Sequence, residues 1–319
     1  MKKVNLSVEN LLNDLSQTLN ISIISGKDGL SRIIKVPEIN RMGLTLCGHF
    51  SYFPAERIQI CGMAEQSYIE SLDSQKKLNI FSQILKLFPQ IPCIIVTRDI
   101  QPVDELITLC QEFSTPLLKT KMHTARFISE LSVYLEEKLA PVIKVHGVLV
   151  EVYGVGILIF GDSSIGKSEC ALELLESGHL LVADDVINIK LLPGGMLFGY
   201  GEEIIKYHME VRGIGIIDIP SIFGIGSILD QTQINLVVKL TEWDKIEDYD
   251  RVGLEEHKTK ILDVEVPEII IPVRPGRNIA GLIEIAALNQ KLKQKGYFAA
   301  KQLNERIIKA MMEKINKAS

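Results

Sequence analysis

Eight consecutive residues, Gly161-Asp162-Ser163-Ser164-Ile165-Gly166-Lys167-Ser168, fit G-x-x-x-x-G-K-[ST] without exception. Each type has a physical task in binding phosphate. The glycines let backbone N–H groups turn inward around phosphate oxygens. Lys167 supplies a mobile positive charge for β- and γ-phosphates, and Ser168 offers a hydroxyl to Mg²⁺. The first turn of a following helix adds unpaired N–H groups and a dipole that favours an anion.

Further residues of chemical interest follow. Asp184 and Asp185 close the apolar run Leu180-Leu181-Val182-Ala183. Two carboxylates at a strand end could hold Mg²⁺ or take a proton from a hydroxyl, and the residues alone do not say which is the base. Glu210 and Arg212, if extended, project to one face, as a metal and phosphate pair or as a solvated cross-strand pair. Arg251 sits in the acidic stretch EDYDRVGLEEH, which reads by itself as a solvated face. Pro272-Val273-Arg274-Pro275-Gly276-Arg277 is a stiffened loop with two guanidiniums, which match phosphate or carboxylate geometry. His146 reads as a strand-end histidine with no partner evident.

The elements needed to position these groups can be read around them. GILIF at 156–160 is an apolar strand entering the loop, and SECALELLE at 168–176 is a helix leaving it, stopped by Gly178. The segments VIKVHG, VLVEVYG, VGILIFG and LLVADD predict short strands separated by glycines. Upstream, residues 1–132 read as a small α/β domain, and 133–319 as the catalytic domain. In the first, Leu11, Leu12, Leu15 and Leu19 recur at helical spacing, IPCIIV at 91–96 is a buried strand, and Val103 to Phe113 is a helix. Thr124 to Leu139 is a connecting helix ended by Ala140-Pro141. His49, in CGHF, has no metal partner in sequence and reads as structural. The five cysteines have no CxxC spacing, which argues against a disulfide framework or zinc knuckle.

The chain has 319 residues, 46% hydrophobic and 24% charged, which excludes disorder as its main theme. A net charge of −5 gives no reason to expect a nucleic-acid partner. No apolar run approaches the ~18 residues of a membrane helix, and MKKVNLSVEN lacks the apolar core of a signal peptide, so a cytoplasmic location is expected. Charge is uneven: Asn289 to Ser319 carries eight Lys/Arg and two acids. Within it, Leu303, Ile307, Met311 and Ile315 recur every four residues, an apolar stripe on a lysine-rich helix from 297 to 315. That stripe fits packing on its own domain, and the charge fits steering of an acidic or phosphorylated partner.

Taken together, these segments resemble the bacterial HPr kinase/phosphorylase family. The likeness rests on VHG at 145–147, GDSSIGKS at 161–168, LVADD at 181–185, MEVRGIGIIDI at 209–219, YDRVGL at 249–254 and PVRPGRN at 272–278. It implies a P-loop kinase core related to phosphoenolpyruvate carboxykinase, assembled as a homohexamer. It implies an enzyme that phosphorylates a serine of the carrier protein HPr with ATP or pyrophosphate. The same enzyme removes that phosphate with inorganic phosphate, giving pyrophosphate. By the same likeness, Lys167 contacts phosphate and Ser168 and Glu210 hold Mg²⁺. Asp185 is the proton carrier, His146 and Arg251 are catalytic, and segment 272–277 matters mainly for the reverse reaction. The resemblance also implies that the basic C-terminal helix helps contact HPr. Ser164 and Ile165 stand where the family often has glycine and valine, and their side chains are expected to matter little. The competing reading is a P-loop ATPase or nucleotide-dependent switch without a protein substrate. No NKxD guanine-reading segment is present, and Asp184 follows Ser168 by only 16 residues, a short gap for an ATPase motor.

Overall fold

The computed structural model describes residues 5–245 and 256–318, so Arg251 and the whole YDRVGL segment lie outside the described residues. The chain divides into two compact units, Lys2–Ala140 and Pro141–Ser319.

In the first unit a five-stranded sheet runs in the order Ile21–Ser25, Leu117–Thr120, Ile94–Val96, Ile58–Cys61, Ile39–Arg41. The last four are mutually parallel and the first is an antiparallel edge. Helices cover both faces, so the central strands must be apolar on both sides. Ile94 and Val96 pack with Phe81 and Leu106 on one face, while Cys93 and Ile95 pack with Leu11 and Phe127 on the other. That is why IPCIIV reads as an unbroken apolar run.

A boundary at 132/133 would cut the helix Thr124–Lys138 in two. The structure keeps the whole helix in the first unit, because Phe127, Leu131 and Leu135 are all buried in that core. The division falls at Ala140-Pro141, where the helix ends.

The second unit begins with β1 (Val142–Val152) and β2 (Val155–Phe160), followed by α1 (Lys167–Glu176). Next come β3 (Leu180–Leu192), β4 (Met196–Gly201), the hairpin β5 (His208–Val211) and β6 (Gly215–Asp218), and the short α2 (Ile219–Phe223). The chain continues with β7 (Gln231–Glu242), β8 (Lys258–Ile261), β9 (Val264–Val273), α3 (Ile279–Gln294) and α4 (Ala299–Ala318). A seven-stranded sheet has the order β4-β3-β1-β2-β7-β9-β8, and β4 also pairs with β7, so the sheet curls back on itself. Only β2, β7 and β9 are parallel neighbours.

Alternation along the strands serves two cores. Val148, Val150, Ile157, Ile159, Leu236 and Val238 face α1 and α3. Leu149, Leu158 and Val237 face the inside of the curl with Ile187, Ile189 and Leu197. Cys170, Ala171, Leu174 and Leu175 press α1 onto the first core. Each fully buried aliphatic side chain there contributes about 1.5–3 kcal/mol.

Two expectations need correction. The strand bearing the acids does not end at Asp185 but runs on to Leu192, because it also pairs with β4 from Ile187 onward. Likewise Gly147 does not punctuate two short strands, and His146 lies inside β1 rather than at its end. Gly147 is needed for close approach: a Cβ there would sit 2.6 Å from the Ile159 carbonyl oxygen.

Candidate active site

The residues of β2 are almost fully buried to Ile159, so the chain leaves the sheet at Gly161 with no choice but to cross its edge before α1. Gly166 caps α1 in the left-handed conformation, with φ 99. Ser164 is also left-handed, with φ 71. The Lys167 ammonium folds back over the loop and donates to the carbonyls of Gly161 and Asp162, each at 2.9 Å. It spans the cradle that phosphate oxygens would occupy.

Sheet register delivers the acids to this loop. Asp184 stands opposite Val148, which stands opposite Ile159, the penultimate residue of β2. The long strand therefore passes the phosphate loop at Asp184-Asp185 and continues beyond it. Neighbouring residues of a regular strand point to opposite faces. Asp185 has φ 72, which breaks that alternation, and both carboxylates border one cavity.

The two acids have unlike surroundings. Asp184 accepts the Ser168 hydroxyl at 3.0 and 3.2 Å. Burial pushes its carboxyl up to about 6; the Ser168 hydroxyl opposes the rise and the adjacent Asp185 charge adds to it. Asp185 is exposed, and its Oδ1 lies 3.4 Å from Nδ1 of His146 on the neighbouring strand. A carboxylate held by an imidazole at the open rim has the geometry of an oriented proton carrier.

The β5–β6 hairpin closes the other wall. Met209, Val211 and Ile217 pack against the core of α1, so alternation turns Glu210 outward into the cavity. Arg212 lies just past β5, in the hairpin turn rather than on a strand, and donates to the Ser164 hydroxyl. The hairpin is tied at its base by Lys206 and the Tyr207 hydroxyl, both bonded to Asp230.

The resulting cavity has a volume of about 400 Å³. It gathers Ser163, Ser164, Gly166, Lys167, Ser168, Asp184, Asp185, Glu210 and Arg212 from three separate stretches of sequence. Gly161 and Asp162 bear on it only through the carbonyls that hold Lys167. The Ser164 hydroxyl accepts from Arg212, and Ile165 packs on the α1 core. Segment 272–277 does not line this cavity; it emerges from β9, two strands from β2 along the same carboxyl edge. Sequence reasoning missed Trp243, whose ring carries Arg274 and Arg277. Its one signal was being the only tryptophan in the chain.

Among the described residues no group of three or more His, Cys, Asp or Glu could hold a metal alone. Mg²⁺ does not need one: it takes one or two carboxylates plus waters and substrate phosphates. A serine hydroxyl, a buried carboxylate and Glu210 around one cavity are hard oxygen donors of that kind.

Comparison with known proteins gives a consistent set of likenesses. Residues 6–135 match the family model described as HPr Serine kinase N terminus, and residues 137–307 match HPr Serine kinase C-terminal domain. An HPr kinase/phosphorylase of Alkaliphilus metalliredigens strain QYMF is 42% identical over 309 residues, covering 97% of this chain and 98% of that protein. An HPr kinase/phosphorylase of Bacillus cereus strain B4264 is 44% identical over 298 residues, covering 93% and 96%. The solved Hpr(Ser) kinase/phosphatase from Coxiella burnetii aligns at 34% identity with a TM-score of 0.46, covering 51% of this chain and 99% of that one.

Proposed function

Because the chain belongs to the HPr serine kinase/phosphorylase family, we propose that it phosphorylates a serine of HPr with ATP or pyrophosphate and reverses the reaction with inorganic phosphate. The observation that carries this reading is the convergence of an oriented carboxylate, Asp185 with His146, on a phosphate loop bearing Lys167.

In the forward direction the loop N–H groups and Lys167 hold the donor's phosphates. Asp185 takes the proton of the serine hydroxyl as the serine oxygen attacks the donor's terminal phosphorus; the bond to the bridging oxygen breaks, and ADP leaves from ATP or inorganic phosphate from pyrophosphate. Transfer needs in-line placement and charge neutralisation more than covalent work by the protein. Ser168, Asp184 and Glu210 would hold Mg²⁺, which supplies charge neutralisation on the phosphates when bound. Arg212 is placed to leave Ser164 for a phosphate oxygen. In reverse, an oxygen of inorganic phosphate attacks the phosphoserine phosphorus, the bond to the serine oxygen breaks, and pyrophosphate forms. Asp185 returns the proton to the serine oxygen, so one group serves both directions by microscopic reversibility.

Arg251 and segment 272–277 enter as catalytic and phosphorolytic groups from the resemblance. So does a homohexameric assembly, whereas a cytoplasmic location is inferred from the N-terminal residues and the apolar runs of the sequence. Among the described residues no helix is long and apolar enough to cross a membrane.

The test is Asp185→Asn. Serine phosphorylation and phosphorolysis should both fall by at least about 100-fold, while ATP binding persists. Retention of both activities would remove Asp185 as proton carrier and make Asp184 the candidate.

A further inference from the structure

The guanidiniums of Arg274 and Arg277 both lie over the ring of Trp243, at 4.8 and 5.6 Å from its centroid. Local sequence builds this arrangement. Arg274-Pro275-Gly276-Arg277 is a tight turn in which the Arg277 N–H donates to the Arg274 carbonyl at 3.2 Å. Pro275 sets the second position, and Gly276 takes φ 80, the left-handed value that a type II turn requires there. The turn places its first and fourth residues side by side. Arg277 is fixed further by donating to the Pro272 carbonyl at 2.9 Å.

Trp243 arrives by register. Glu242 at the end of β7 pairs with Val273 at the end of β9, so the next residue on each strand is Trp243 and Arg274. Two like charges packed together repel unless something offsets them. Among the described residues neither guanidinium makes an ion pair, and the negative face of the indole is what both share. A cation–π contact consumes no N–H, so the guanidinium N–H groups beyond the one that Arg277 gives to Pro272 remain for a ligand. Paired, ring-held guanidiniums suit a small oxyanion. They sit on the carboxyl edge that also launches the phosphate loop, since β7 lies between β2 and β9.

We propose that Trp243 is a positioning residue whose ring presets Arg274 and Arg277 as a fork for inorganic phosphate in the phosphorolysis direction. This rests on the reading above that segment 272–277 serves that direction. ATP brings an adenosine and an α-phosphate to its own binding, whereas inorganic phosphate has no such handle and should depend more on preset guanidiniums.

The experiment compares Trp243→Ala, Trp243→Phe and the double variant Arg274→Ala/Arg277→Ala, each confirmed folded by circular dichroism. Trp243→Ala should raise the KM for inorganic phosphate about fivefold to thirtyfold and leave the KM for ATP within about twofold. Trp243→Phe, which keeps an aromatic face, should restore most of the loss. The double variant should lose more phosphorolysis than kinase activity. Titrating inorganic phosphate should shift the emission of the sole tryptophan in the wild type and not in the double variant, a readout that also serves if Trp243→Ala fails to fold.

An unchanged phosphate KM in Trp243→Ala, with phosphorolysis lost in the double variant, would overturn the positioning role and leave the reading of the segment standing. Equal losses in both directions from Trp243→Ala, unrescued by phenylalanine, would mark a merely structural residue and overturn it too. Full phosphorolysis in the double variant would refute the reading of the segment and this inference with it.

Discussion

Asp184 and Asp185 are adjacent in sequence, yet one is sunk beneath the phosphate loop and the other stands at its rim. The consequence for Asp184 is a measurable pH dependence. Its carboxyl has an ordinary value of 3.8 and rises to about 6 on burial. Folding therefore favours the protonated form. Asp184 adds stability below pH ~4 that is lost as pH rises through about 6, above which the buried charge is a cost. Asp184→Asn keeps an oxygen to accept the Ser168 hydroxyl and removes that charge. In metal-free protein the variant should be more stable than wild type by about 1–3 kcal/mol at pH 8. The gain should shrink below pH 6 and vanish near pH 4. Thermal melts across that range check it, and a difference independent of pH would show that the charge is not the cause. Kinase activity should fall in the same variant, because a neutral amide is a poorer Mg²⁺ ligand.

Elements explain what could be read from sequence and what could not. The phosphate loop was legible because its types and spacing are local: the strand before it, the glycines and the lysine all lie within a dozen residues. The bounds of β3 were not legible. Asp-Asp reads as a strand end when only neighbours in sequence are considered, but here pairing with β4 extends the ladder past both acids. Gly147 misled for the same reason, since its role is set by the Ile159 carbonyl on the next strand. Trp243 was invisible because its partners are some 30 residues away and meet it only through strand register. The basic terminal helix was legible as an amphipathic element, and α4 occupies 299–318. Its apolar stripe is left open by its own chain: Leu303 is 57% and Met311 60% exposed. An open stripe flanked by lysines fits a docking element better than a packing one. Deleting residues 297–319 should weaken kinetics on HPr at least about tenfold and leave ATP binding within about twofold. Activity on HPr should also fall as salt rises, because exposed attraction is screened within ~10 Å at 0.1 M. Unchanged kinetics on HPr in a folded truncation would remove the helix from docking.

At the scale of the whole molecule, the proposed site belongs to the second unit. Every described residue of the candidate site lies between His146 and Arg277. The first unit has its own sheet and its own two cores, and the division at Ala140-Pro141 lets each be understood separately. On the proposed mechanism, one cavity runs serine phosphorylation and its phosphorolytic reversal. The most direct measurement incubates the full chain with Mg²⁺, ATP and HPr, then adds excess inorganic phosphate after removing ATP, following phosphoserine and pyrophosphate together. Phosphoserine-HPr should form in the first stage, and in the second its loss should be matched by an equimolar rise in pyrophosphate. ATP consumption without phosphoserine, or loss of phosphoserine with no pyrophosphate formed, would contradict that mechanism.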